Sequence, residues 1–191
     1  MLQTEPETRR WTRDDLYKMA DAGLFHGQRA ELLEGQIMVL SPQKFAHSVS
    51  TDRSTETVRA AFGRKFWVRM QLPISFGEFS EPEPDVSVVE GPRERYTDHP
   101  TTALLVVEVS DTTLAYDRGR KASLFASAGI ADYWIVNLVD QQLEVYRNPI
   151  VDGGQAYGFR YADKSVYHLG QTVTPLALTN SKILVSDLFP A

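Results

Sequence analysis

A chain of 191 residues with 42% hydrophobic and 24% charged residues has the composition of an ordinary globular protein, and its length suits one domain with a substantial core. The absence of cysteine excludes disulfides, thiolate zinc sites and cysteine nucleophiles, and fits a reducing compartment. A formal net charge of −5 argues against chain-wide attraction to nucleic acid, so any polyanion contact must come from a local basic patch.

The opening, MLQTEPETRR, lacks the apolar core of a signal peptide, and no apolar run approaches the roughly 18 residues needed to cross a bilayer. A soluble cytoplasmic protein is expected, a single domain over residues 1–191 with residues 1–10 as a flexible tail. Thr12 and Asp15 are placed to cap a helix over about residues 13–22, which Gly23 ends. AELLEGQIMVLSP reads as two strands about a turn at Glu34-Gly35. Apolar residues at helical spacing (Val49, Val58, Ala61, Phe62, Phe66) predict a long helix over about 46–66, with Gly63 weakening its last turn. WVRMQLPISF is the next strand, and Pro73 makes it an edge or a bulge. Short strands are expected over 84–89 and 103–110, then a helix over about 114–128 closed by Gly129. DYWIVNL and QQLEVYR follow as strands about a turn at Asp140-Gln141, and AYGFRYADKSVYHL reads as a hairpin of its own. ILVSDLF ends the chain as a short strand or turn. These elements make an α/β domain with a mixed sheet covered by two main helices.

The run LLVVEVSD sets Glu108 among branched apolar residues, where an unpaired carboxylate costs several kcal/mol. Asp85 occupies a comparable place at the head of DVSVV. On the helix over 114–128, Lys121 precedes Leu124 and Phe125 by three and four positions and so points along their apolar stripe toward the sheet. Two acids and a lysine at one end of neighbouring strands suit a divalent-metal phosphodiesterase. Carboxylates hold Mg²⁺ together with waters and substrate phosphate, and a lysine orients water or offsets developing charge. The residues alone also permit plainer roles. Glu108 and Lys121 can form a structural ion pair, Asp85 can be a turn-facing acid, and Lys121 can extend its head to water.

Five segments in order, AELLEGQIMVLSP, the His47-Ser48 pair, EPDVSVV, LLVVEVSD and the stretch from Asp117 to Asn137, resemble the Uma family. These are restriction-endonuclase-type domains grouped with the PD-(D/E)xK nuclease superfamily. The resemblance covers about Trp11 to Arg147. It implies a restriction-endonuclease-like core, a mixed central β-sheet flanked by helices, with extra β-hairpins. It implies Asp85 and Glu108 as metal ligands for Mg²⁺ or Mn²⁺ and Lys121 as a catalytic lysine. The plain superfamily motif has that lysine two residues after the central acid, where this chain has Ser110; the ammonium is expected to arrive from the helix instead. Glu31 matches a family acid on the first hairpin and His47 a family histidine near the start of the long helix. Both count as candidate catalytic residues, although an exposed strand residue and a polar helix-terminal group are their plainer readings.

The implied function is a Mg²⁺-dependent DNA endonuclease acting as a homodimer. Arg53, Arg59, Arg64 and Lys65 on the long helix, with Arg118 and Arg120, are candidates for phosphate contact, against the reading of a solvated helix face. The alternative is a non-catalytic interaction or nucleic-acid-binding protein that keeps the nuclease fold, with Tyr157, Phe159, Tyr161 and Tyr167 as a protein-facing surface or as the outer face of a packed hairpin. A serine hydrolase is disfavoured because no GxSxG occurs, and the glycine patterns of P-loop and Rossmann sites are absent. The four histidines show no zinc spacing.

Overall fold

The computed structural model describes residues 7–190. The expected tail over residues 1–10 lies partly outside the described residues, and residues 7–10 carry no regular secondary structure. Contacts divide the chain into two compact units, one running up to Pro42 and including Ser75–Pro82, the other comprising Gln43–Ile74 and Glu83–Ala191.

In the first unit, Thr12 caps helix α1 (Arg13–Asp21) through a reciprocal box: its hydroxyl accepts the Asp15 N–H at 3.1 Å while its own N–H donates to the Asp15 carboxylate at 3.1 Å. Strands β1 (Ala30–Leu33) and β2 (Gln36–Val39) pair antiparallel. Their two-residue turn needs left-handed backbone at both positions, and Glu34 (φ 51°) and Gly35 (φ 80°) supply it. Glu81 bridges back to Leu32. Its buried carboxylate accepts from Arg13, from the Tyr17 hydroxyl and from Ser75 Oγ at 2.8 Å. Burial, reinforced by that bond and by the Glu81 charge, pushes the Tyr17 phenol up to about 12.

The second unit holds the sheet. Helix α2 (Phe45–Phe62) stops four residues before the sequence pattern suggests, because Gly63 adopts φ 65° and a short 3₁₀ turn leads into β3 (Phe66–Met70). β4 (Val86–Glu90), β5 (Leu105–Ser110), β6 (Asp132–Asn137), β7 (Gln142–Val151) and β8 (Phe159–His168) complete a six-stranded sheet in the order β3-β4-β5-β6-β7-β8. Only the β5–β6 pair is parallel, so its connection must cross over the sheet. The connection is helical: α3 (Leu114–Tyr116), a π-turn over Asp117–Lys121, and α4 (Ala122–Ser127). A separate two-stranded pair, β9 (Thr172–Val173) with β10 (Ile183–Leu184), precedes a terminal 3₁₀ turn.

Strand alternation sends residues to two different layers. Val86 and Val88, Val107 and Val109, and Trp134 and Val136 face a core completed by Val58 and Phe62 of α2. Glu108, Tyr133 and Tyr146 alternate with them and face the other side, where Tyr133 packs against Phe125, Tyr146 and Tyr161 at ring separations of 5.1, 5.8 and 5.8 Å. The segment read as a separate hairpin is the single strand β8, paired along its length with β7. Tyr161 is buried there and donates to the Ile130 carbonyl at 2.8 Å, so it belongs to the core and not to a protein-facing surface. The observed architecture is the mixed, helix-flanked sheet of the restriction-endonuclease-like class. No helix among the described residues is long and apolar enough to cross a membrane.

Candidate active site

Register brings the two acids together. Val86 pairs with Val107, which sets Asp85, one residue before β4, across from Glu108 on β5. The Asp85 N–H lies 3.4 Å from Glu108 Oε2. In return the N–H of Val109, next to Glu108, donates to Asp85 Oδ2 at 2.9 Å. A spacing of 23 residues in sequence thus becomes a backbone-locked neighbour pair. The helical crossover adds the cation: Lys121, last residue of the π-turn, donates from Nζ to Glu108 Oε1 at 3.0 Å. Glu108 is 3% exposed and Lys121 and Asp85 are each 6% exposed. Hydrogen bonds in such a dry setting are strong when complete and costly when broken.

His47, in the first turn of α2, brings Nε2 to 3.3 Å from Asp85 Oδ2, while its Nδ1 meets Thr51 Oγ1 at 3.4 Å. Gln71 Nε2 donates to Asp85 Oδ1 at 3.1 Å. Burial alone would lower the imidazole pKa, but the hydrogen bond and charge of Asp85 hold it above its ordinary value. Burial likewise raises the Asp85 carboxyl, and the His47 contact, the Val109 N–H and Gln71 more than offset it, leaving it below the ordinary carboxylate range. Asp85, Glu108, Lys121 and His47 therefore meet in the second unit. Glu31 lies in the first unit, on β1, where it is fully buried and not the exposed strand residue of its plainer reading.

Two neighbours were not singled out from the sequence. Gln71 reaches Asp85 from a left-handed backbone position (φ 50°) just after β3, for which its residue type carries no signal. Asp117 opens the π-turn, and its Oδ2 accepts from Ser110 Oγ at 2.8 Å and Thr113 Oγ1 at 2.6 Å. Burial pushes its carboxyl above the ordinary value, against the nearby Lys121 charge and these two bonds. The signal that was available is the Asp-x-x-x-Lys spacing itself, which places both side chains on one helical face.

The basic residues divide. Arg118, a candidate for phosphate contact, is instead engaged by the buried Glu144 and by Asp140. Arg53 donates to the Asp187 carbonyl at 3.3 Å. Arg59, Arg64 and Lys65 are exposed.

Asp85 and Glu108 offer hard oxygen donors side by side, with a backbone register that fixes their separation. This suits Mg²⁺ or Mn²⁺, which take one or two protein carboxylates and fill the remaining positions with water and phosphate. Among the described residues no group of three or more acids or histidines forms an all-protein cage, and for these ions none is needed. The donor set fits the ion.

Residues 13–185 match the Uma2 family, described as "Putative restriction endonuclease". A crystal structure of "a putative nuclease belonging to DUF820" from Anabaena variabilis ATCC 29413 is similar in fold, with a TM-score of 0.66, 17% sequence identity, and coverage of 93% of this chain and 97% of that one. No curated protein matches the sequence.

Proposed function

Since the chain belongs to the Uma2 family, we propose that it is a divalent-metal-dependent DNA endonuclease of the PD-(D/E)xK type, with Asp85, Glu108 and Lys121 as its catalytic set. The observation that carries this reading is a buried cluster in which Lys121 Nζ lies 3.0 Å from one Glu108 carboxylate oxygen while the Asp85 N–H lies 3.4 Å from the other, which sets Asp85, Glu108 and Lys121 side by side. Asp85 and Glu108 would hold Mg²⁺ or Mn²⁺, which when bound polarises the phosphate and acidifies water. Lys121 Nζ would donate to the incoming water or to the phosphate oxygen that gains charge. Water oxygen bonds to phosphorus as the bond to the leaving sugar oxygen breaks; the proton that the attacking water gives up passes to solvent, and the departing oxygen takes one up from solvent. His47 keeps the Asp85 carboxylate oriented through the 3.3 Å contact, and Glu31 is retained as a further candidate. The active species is a homodimer that presents two sites to two strands, in the cytoplasm.

The direct Glu108–Lys121 contact also favours a second reading, a non-catalytic protein that keeps the fold and uses the pair to hold its core. Incubating the protein with plasmid, linear and single-stranded DNA plus Mg²⁺ or Mn²⁺ separates the two. Cleavage that chelator and Asp85→Ala both abolish is the expected result. Intact DNA under every metal condition rejects the nuclease. Light scattering that finds only monomer at working concentration rejects the dimer.

A further inference from the structure

We propose that Asp117 is the positioning residue for Lys121, clamping the π-turn to the strand that carries Glu108; this deepens the nuclease reading and rests on it for the catalytic role of Lys121. The turn is anchored at its first residue in three ways. Asp117 Oδ2 accepts both the Ser110 hydroxyl, from the end of β5, and the Thr113 hydroxyl. The Asp117 carbonyl accepts the Tyr133 hydroxyl of β6 at 3.0 Å. The same carbonyl accepts the N–H of Ala122, five residues on, which is the bond that defines a π-turn. Lys121 is the residue before Ala122, so its backbone is set by a turn whose opening is fixed to both parallel strands.

The chemistry explains why such a clamp is required. A lysine carried on the same strand as its acid inherits its place from the sheet. A lysine carried on a helix has a long flexible stem and a backbone whose position depends on how the helix seats. Here Ser110, two residues past Glu108 and on the same strand face, places no cation of its own. It ties down the element that delivers one. Asp117 is 3% exposed and Ser110 fully buried, so the tie is shielded from competing water. The Asp117 charge adds an attraction toward Lys121.

Both hydroxyls meet a single oxygen, Oδ2. Asn at this position offers one carbonyl oxygen able to accept both, whereas Ala offers none. The test therefore compares Asp117→Asn, Asp117→Ala and Ser110→Ala in two measurements. The first does not need catalysis: acylation of Lys121 by an amine-directed reagent, followed by mass spectrometry of the metal-free protein. Asp117→Ala should raise the Lys121 labelling rate at least about fivefold, Ser110→Ala should raise it by less, and Asp117→Asn should stay near wild type, while labelling of Lys18 is unchanged in all. The second is cleavage kinetics: kcat should fall in the same order, with KM for DNA held and Asp117→Asn restoring most of the rate. Equal Lys121 labelling in wild type, Ser110→Ala and Asp117→Ala overturns the clamp, as does an Asp117→Asn protein as damaged as Asp117→Ala. If Asp117→Ala does not fold, Ser110→Ala alone decides. A wild type that cleaves no DNA rejects the nuclease reading, while the labelling result still decides the clamp.

Discussion

Glu108 is a carboxylate in a strand whose six residues are all buried, and its tolerance there has two explanations with opposite signs. As a metal ligand it carries an electrostatic penalty that a bound divalent ion relieves. Metal should then raise the melting temperature, by about 2.7 kcal/mol of stabilisation at a hundredfold excess over the dissociation constant. Glu108→Gln should remove that gain and leave the metal-free protein as stable or slightly more so. As the structural partner of Lys121, 3.0 Å away, its loss breaks a buried ion pair and costs about 3–5 kcal/mol. Melting curves of both proteins with and without Mg²⁺ decide. The acid in an apolar run and the lysine on a core-facing stripe were both legible in the sequence. The meeting of Asp85 with Glu108 was expected from the family resemblance and not from the spacing. It depends on which strands are neighbours and in what register, and a separation of 23 residues says nothing about either. Gln71 was hidden for a related reason, since a left-handed backbone position is a property of the folded loop.

At the scale of elements, the hydrophobic pattern gave most strands and helices, and the differences have local causes. The strand read over QQLEVYR, residues 141–147, runs on as β7 to Val151, with Pro149 opposite Tyr161. Its other neighbour, β6, pairs no further than Arg147, so from there β7 has a single partner and a missing N–H is tolerated. The π-turn left no mark in the periodicity, because one widened turn shifts the pattern too little to be read. β7 also carries Glu144, fully buried yet held by Arg118, by Lys164 Nζ at 2.8 Å, by the Tyr146 hydroxyl at 2.6 Å and by Asn137 at 2.9 Å. Burial opposes ionisation, but these donors together hold the Glu144 carboxyl well below its ordinary value. A carboxyl whose folded-state pKa is depressed stabilises the fold above its unfolded value, about 4.3, and loses that contribution as pH falls toward the folded value. Glu144→Gln should therefore cost about 3 kcal/mol at pH 7, and the gap to wild type should narrow as melting is followed from pH 5 to pH 3. A gap that stays constant over that range would mean that the ionised form is not what the network holds.

For the molecule as a whole, charge sets the limit on how DNA is held. With a net charge of −5, a duplex is repelled by most of the surface and must be met by a confined cationic patch. Arg118, on the π-turn, does not supply it, because it is committed to Glu144. A groove of about 650 Å³ offers a better footing: exposed Arg59, Arg64 and Arg93 line it beside Phe66 and Trp67, with Glu56 and Glu94 moderating the charge. Phe66 pairs with Glu90, the far end of β4 from Asp85, so a strand length of about 17 Å separates groove and site. That reach corresponds to a few nucleotides, so on the nuclease reading the groove would take phosphates flanking the cut and not the cut itself. Each phosphate neutralised contributes about −0.9 to the slope of log binding constant against log salt. Replacing Arg59 and Arg64 together by alanine should weaken metal-free duplex binding about equally for unrelated sequences and make the slope shallower by about 2. Cleavage at saturating DNA should keep its kcat, since neither side chain touches the reacting atoms, and the loss should appear in KM. Fluorescence anisotropy across a salt series measures the slope, and a double variant with the wild-type slope would place the footprint elsewhere on the molecule.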